Sequence, residues 1–214
     1  MNIKFLSAAL GIALSVVALS ANAQKTYSEG TISLSSDMRG QPIDGKIYFT
    51  PDSSAYTFAA GPANIRILSN AKRTYFAVLV DVAVASIKKA AIANPDEIEQ
   101  AMAGLPKFTY APTTETKQIS GFNCKKIVAT DTKTNKTYDV WITNDVTLPP
   151  SVIPDFYSTI GGVPIQYTSF SQGQTSNVTV TGITDTKAPA GTFAIAGDFD
   201  KITLDDLKAM SGGH

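Results

Sequence analysis

Between residues 25 and 80 apolar and polar positions alternate in short runs, at 27–34, 46–50, 55–59, 63–68 and 75–80. A period of two puts every second side chain on the same face of an extended chain, so each run reads as a half-buried strand. The punctuation lies at 40–45, at 50–54 and at Gly61-Pro62, where Gly reaches positive φ and Pro fixes φ, the requirements of turns. An antiparallel meander is the simplest way to connect such runs. Ala71-Lys72-Arg73, between the last two runs, reads as a hairpin turn or strand end, solvated rather than a binding patch.

The pattern changes over 82–105, which is rich in Ala and carries Ile87, Ile92, Ile98, Met102 and Leu105. A helix is predicted to start at Asn94. Its side chain can accept from free amides at the N-cap, Pro95 fits the first helical position, and Asp96 and Glu97 complement the positive helix end. Ile98, Ala101, Met102 and Leu105 then form one apolar face, and Gly104 and Pro106 end the helix. Residues 82–93 read either as a first helix or as an extension of the preceding strand.

After Pro106 the alternation returns at 108–110, 116–119, 122–130, 138–143, 165–170 and 177–183. The 131–137 stretch between two of these runs places Asp131, Asn135 and Asp139 four residues apart. A calcium loop of the EF-hand kind needs Gly at its sixth place and Glu at its twelfth, where this chain has Lys136 and Ile142, so a polar hairpin is expected instead. Asp198-Phe199-Asp200 is too sparse for a metal site. Thr203 followed by Asp205 and Asp206 predicts a short terminal helix with Leu207 and Met210 facing the sheet. The longest irregular connection, 144–164, mixes four prolines with Val152, Ile153, Phe156 and Tyr157, as lids, binding loops and packed covers do.

Residues 1–23 carry Lys4, an apolar run over 5–19 and Ala21-Asn22-Ala23 before polar residues, which reads as a cleaved signal peptide. The run is shorter than the roughly 20 residues a membrane helix needs. No linker or internal repeat divides the remainder, so 24–214 is expected to be a single exported domain, periplasmic or secreted, with no transmembrane segment after cleavage. Eighteen Lys and Arg balance 18 Asp and Glu, which argues against nucleic acid as a partner. One Cys, Cys124, and one His, His214 at the last position, cannot build a disulfide framework or a His-based metal or triad site. Cys124 is expected as a buried, inert thiol on the strand face of Phe122 and Val128.

Residues 117–126, Lys-Gln-Ile-Ser-Gly-Phe-Asn-Cys-Lys-Lys, and 138–143, Tyr-Asp-Val-Trp-Ile-Thr, resemble a group of uncharacterised exported Bacteroidota proteins with the pattern K-x-I-x-G-(Y/F)-x-C-x-K followed by (V/A)-W-x-T. The resemblance runs over about 117–210. A related group, named for its G-L-P-G-L-I motif, is similar too, although here Gly-Gly-Val-Pro-Ile stands at that place. What the resemblance implies is a LolA-like half-barrel: a curved, mostly antiparallel sheet with helices packed over one face, hence an α+β fold. It supplies no catalytic residue, and it makes Cys124 and Trp141 fold determinants.

Three functions follow as expectations. A binding module would line its sheet with Phe76, Val78, Phe122, Val140 and Ile142 and hold a hydrophobic ligand such as a lipid or a lipoprotein acyl chain. An ordinary packed core would use the same residues, and the discriminator is a ligand-sized apolar cavity. An enzyme needs a nucleophile or a tuned acid and base beside a partner; Gly-x-Ser-x-Gly and phosphate-binding Gly loops are absent, so a non-enzymatic protein without metal or cofactor is expected. An envelope structural or protein-interaction module would instead use a strand edge or the Pro-rich loop to contact an envelope protein.

Overall fold

Pairing between the two ends of the chain decides the architecture. A computed structural model describes residues 24–38, 41–171 and 173–210, and the signal peptide expected at 1–23 lies outside them. The strands are β1 (Lys25–Thr26), β2 (Gly30–Met38), β3 (Gln41–Phe49), β4 (Ser53–Ala60), β5 (Ala63–Asn70), β6 (Phe76–Val82) and β7 (Ile87–Ile92). Helix α1 (Pro95–Ala103) follows, then β8 (Phe108–Ile119), β9 (Phe122–Asp131), β10 (Thr137–Thr143), β11 (Val146–Thr147), β12 (Val163–Ser171), β13 (Gln174–Thr184), β14 (Asp200–Ile202) and α2 (Leu204–Met210). Twelve strands form one curved, open sheet in the order β14-β7-β6-β5-β4-β3-β2-β13-β12-β10-β9-β8. Every ladder in it is antiparallel except β14 on β7. The expected meander is therefore β2 to β7, and β13 joins it to the second half by pairing with β2. β1 and β11 form a separate parallel pair.

Register divides the meander into two faces, because directly paired residues point the same way. One face carries the row Leu34, Gly45, Phe58, Ile65, Val80 and Lys89, and beside it Ile32, Ile47, Tyr56, Ile67, Val78 and Ala91. We call it the first face. The second face carries Tyr48, Ala55, Leu68, Ala77 and Ile92, then Ser33, Lys46, Thr57, Arg66 and Leu79.

Each face is covered by a segment without long secondary structure. Residues 144–164, the Pro-rich connection, fold down as a packed cover: Val146, Ser151, Tyr157 and Ile160 are buried. Arg73 fixes this cover to the β5–β6 turn, its Nε donating to Asp155 Oδ1 at 2.8 Å and its Nη2 to the Ile153 carbonyl at 3.3 Å. Ser151 Oγ adds a bond to the Thr50 carbonyl at 2.8 Å. Arg73, expected in solvent, is thus a half-buried tether; its φ of 55° lets the turn aim the side chain back across the sheet end. On the second face a strap over 185–199 lays Phe193, Ile195 and Phe199 on the cluster Ala55, Leu68, Ala77, Leu79 and Ala90.

The helices depart from expectation in instructive ways. α1 begins as the sequence says, with Asn94 and Glu97 forming a reciprocal capping box. It buries none of its residues, and Met102 is 37% exposed, so it does not pack over the sheet. Residues 82–93 are not a first helix. They form a single helical turn over Ala83–Ala85, then β7, and Ser86 at φ 51° reverses the chain between them. α2 starts after Thr203, whose Oγ accepts from Asp206 N at 3.0 Å, and it touches β7. Met210 is 56% exposed rather than turned to the sheet. The 108–110 and 116–119 runs are one strand, β8, with a register shift between Pro112 and Thr116; Pro is tolerated there because β8 is an edge.

Arg73→Ala should cost about 1–3 kcal/mol, the worth of a charge-assisted bond plus carbonyls left without donors. A lowered melting temperature with faster proteolytic cutting inside 144–164 is the expected result; unchanged cutting would show that the cover stays down without the tether.

Candidate functional site

The five residues expected to line a ligand site do not share one surface. Following the ladders from β2 through β13 and β12 to β10 carries Val140 and Ile142 onto the first face, with Phe76 and Val78. Phe122 alternates with Cys124 to the side opposite Ile127, the partner of Val140, and it packs at the margin of a different cluster. The lining proposed from sequence is therefore split: Phe122 packs on the cluster of Ile32 and Ile165, Val140 and Ile142 lie in another, and Phe76 and Val78 lie in neither.

Val140 and Ile142 are fully buried under Tyr157 and Ile160 of the cover, with Ile127 and Ala129 from β9 completing the cluster. Tyr157 closes this region. Its ring stacks on Phe108 at 5.6 Å, meets Phe156 at 4.8 Å, and its hydroxyl donates to the Thr168 carbonyl at 3.0 Å. Tyr110 donates to the Phe156 carbonyl. Burial pushes the Tyr157 hydroxyl far above the ordinary tyrosine range, and burial does the same to Tyr167. The space between the cover and the first face, lined by Ile32, Ile47, Val152, Ile153 and Val180, amounts to about 20 Å³, room for about one water. Two of the five predicted lining residues, Val140 and Ile142, are thus close-packed core.

Phe76 and Val78 have different surroundings. They are half-buried, as are Tyr56, Phe58, Ile65, Ile67 and Val80 around Val78, and none of these belongs to a buried cluster. Together they make an apolar ladder across β4 to β6, with Lys89, paired to Asp200 at 2.8 Å, at its end. Gly45 is needed inside it: a Cβ there would lie 2.5 Å from the Tyr56 ring, which stacks on Phe58 at 4.9 Å. This approach was not visible in the sequence, where Gly45 reads as a turn residue.

Cys124 is 3% exposed, and burial is the main cause that raises its thiol above the usual range. Asp131, considered above for calcium, spends its Oδ1 on the amides of Lys133 and Thr134, at 2.7 and 3.1 Å. Those two bonds hold its carboxyl below the usual range, as expected of a turn-forming Asp. Among the described residues no group of three or more His, Cys, Asp or Glu is placed to hold a metal, and no helix is long and apolar enough to cross a membrane.

No family model and no curated protein matches the chain. Among solved structures it is similar to PNGF-II in a C2 and in a P21 space group, at 19% and 18% identity and a TM-score of 0.48 in both. The matches cover 85% and 86% of this chain and 32% and 33% of the PNGF-II chains, so this chain spans about a third of their length.

Two measurements check this account. With folded pKa values raised, Tyr157 and Tyr167 favour folding fully below their unfolded pKa near 10, and that contribution is lost as pH rises beyond it. The melting temperature should fall above about pH 10, and less so in Tyr157→Phe relative to its own neutral-pH value; an equal fall would remove Tyr157 as a source. A thiol reagent at pH 8 should label Cys124 only slowly until guanidinium unfolds the chain, whereas rapid stoichiometric labelling would mean that the thiol is open to solvent.

Proposed function

We propose that the protein is an exported, non-enzymatic binding module with a LolA-like half-barrel, of the uncharacterised Bacteroidota kind that residues 117–143 resemble. Its ligand is hydrophobic, a lipid or the acyl chain of a lipoprotein, and lies on the first face across Phe76, Val78 and their neighbours. The observation that carries this reading is the ladder itself: apolar side chains from three adjacent strands, half-buried and outside every buried cluster. Three strands at about 4.8 Å spacing give a strip roughly 10 Å wide. The strip offers a ligand almost no hydrogen-bonding groups beyond the Tyr56 hydroxyl. A hydrocarbon chain needs none, whereas a peptide or sugar would lose its hydration without replacement. Val140, Ile142 and Phe122 have no part in this site, since they pack in or against buried clusters.

The alternative, a protein-interaction module in the envelope, draws support from β8, a twelve-residue strand at the sheet edge. Pro112, Glu115 and Lys117 along it are the residue types that discourage indiscriminate strand addition. The Pro-rich connection is a poorer contact element than β8 because its apolar residues are spent on the core.

Organic extraction and native mass spectrometry of the protein purified from its own compartment test the proposal. A stoichiometric lipid or acylated species is expected, and Val78→Asp should lose it at least roughly tenfold, since a carboxylate in the strip must be desolvated by the chain. A clean polypeptide mass for both proteins would leave the interaction reading ahead.

A further inference from the structure

An open space lies on the second face, opposite the side chains of the apolar ladder. It is a trench of about 790 Å³ between the strap and the uncovered rows of β2 to β6, within the size range of small-molecule sites. Its floor is built by register. Ser33, Lys46, Thr57, Arg66 and Leu79 form one row across five strands. In the next row Asn64 pairs with Asp81, and Asp44 extends the line on β3. Phe199 and Thr181 stand at the walls.

Three properties of the trench select a ligand. The first is an unanswered acceptor: Asp81 Oδ1 is buried and has no hydrogen-bond partner, while Oδ2 lies 3.8 Å from Lys88 Nζ. Such an atom loses its hydration without compensation unless a donor comes from outside. The second is charge balance. In the lining Asp44 and Asp81 offset Lys46 and Arg66, and the neighbouring Lys88 is bonded to Asp198 at 2.7 Å. A strongly anionic or cationic ligand therefore gains no net attraction. The third is an apolar flank, since Phe199 sits beside Leu79 with the Lys88 ammonium 5.7 Å from its ring centre.

We infer that this trench binds a neutral, polyhydroxylated ligand, a saccharide. Its hydroxyls donate to the partly exposed Asp81 carboxylate and accept from Lys46 and Asn64, whose side chains have no partner among the described residues, while a C–H face of the sugar ring rests on Phe199. A hydrocarbon chain would leave Asp81 unsatisfied. An extended peptide would seek a sheet edge for its backbone bonds, and the trench runs across strands on a sheet face. The floor is preformed: Arg66 Nη1 donates to the carbonyls of Gly191 and Thr192 at 3.2 and 3.3 Å, which holds the strap at its distance.

The test is titration of the isotope-labelled protein with maltotriose, cellotriose and chitotriose, followed by amide chemical shifts. Saturable shifts at Lys46, Asn64 and Asp81 are expected with at least one of the three, in the range up to about 20 mM typical of weak small-ligand sites. Asp81→Ala and Phe199→Ala should each weaken that binding roughly tenfold in proteins whose melting curves remain cooperative. Three outcomes overturn the inference: no saturable shift with any of the sugars, shifts confined to the Val78 face, or binding unchanged in Asp81→Ala. Absent shifts, or binding unchanged in Asp81→Ala, leave the proposal for the first face untouched, because the ladder and the trench share no polar side chain, whereas saturable sugar shifts on the Val78 face would count against a hydrocarbon ligand there as well.

Discussion

Two arginines placed by one strand hold the covers of both sheet faces. Arg66 lies within β5 and grips the strap by the carbonyls of Gly191 and Thr192. Arg73 leaves the turn after β5 and grips the Pro-rich cover through Asp155 and neighbouring carbonyls. An open sheet of twelve strands exposes two broad surfaces, and helices shield little of either here, since α1 buries nothing. Irregular segments must do the covering. Such segments lack a repeating backbone ladder, so side-chain bonds of high directionality replace it, and a guanidinium can engage two or three carbonyl oxygens at once. Everything assigned to the core beneath the covers depends on these contacts.

Most strands were legible from alternation, because each buries one face and exposes the other. β9 is the clearest instance, with Ile127, Ala129 and Asp131 buried and Val128 and Thr130 between them less so. The α1 start was legible too, since capping is local chemistry: Asn94, Pro95 and Glu97 specify it without reference to the rest of the fold. What could not be read from local pattern was long-range. β14 has three residues and exists only because β7 offers an edge; β1 and β11 have two residues each. Residues 82–93 looked helical because Ala favours helices, but pairing with β6 outweighs that weak preference.

The candidate site was legible in its chemistry and not in its grouping. Periodicity marked Val78, Val140 and Ile142 as apolar strand positions, which they are. Whether such a position meets a cover or remains open depends on where 144–164 comes to rest, and that is decided by Arg73 and Ser151 at a distance. The trench escaped notice for a related reason. Its members are single residues on five strands, ordinary solvent-facing positions in sequence, and only register lines them up.

The pairing of β13 with β2 joins residues some 150 positions apart; the bonds from Tyr27 to Ile183 and from Thr31 to Thr186 span 156 and 155 residues. The β2–β7 hairpins close over short turns, so their chain-entropy cost is small, whereas the β2–β13 ladder must gather nearly the whole chain before it gains a single contact. Until then both β2 and β13 are unpaired edges, rich in Ser, Thr and Val. The seam that unites the two halves is therefore the part of the sheet most open to pairing with another molecule during folding, and the short polar turns of the meander are what keep that interval from involving the first half as well.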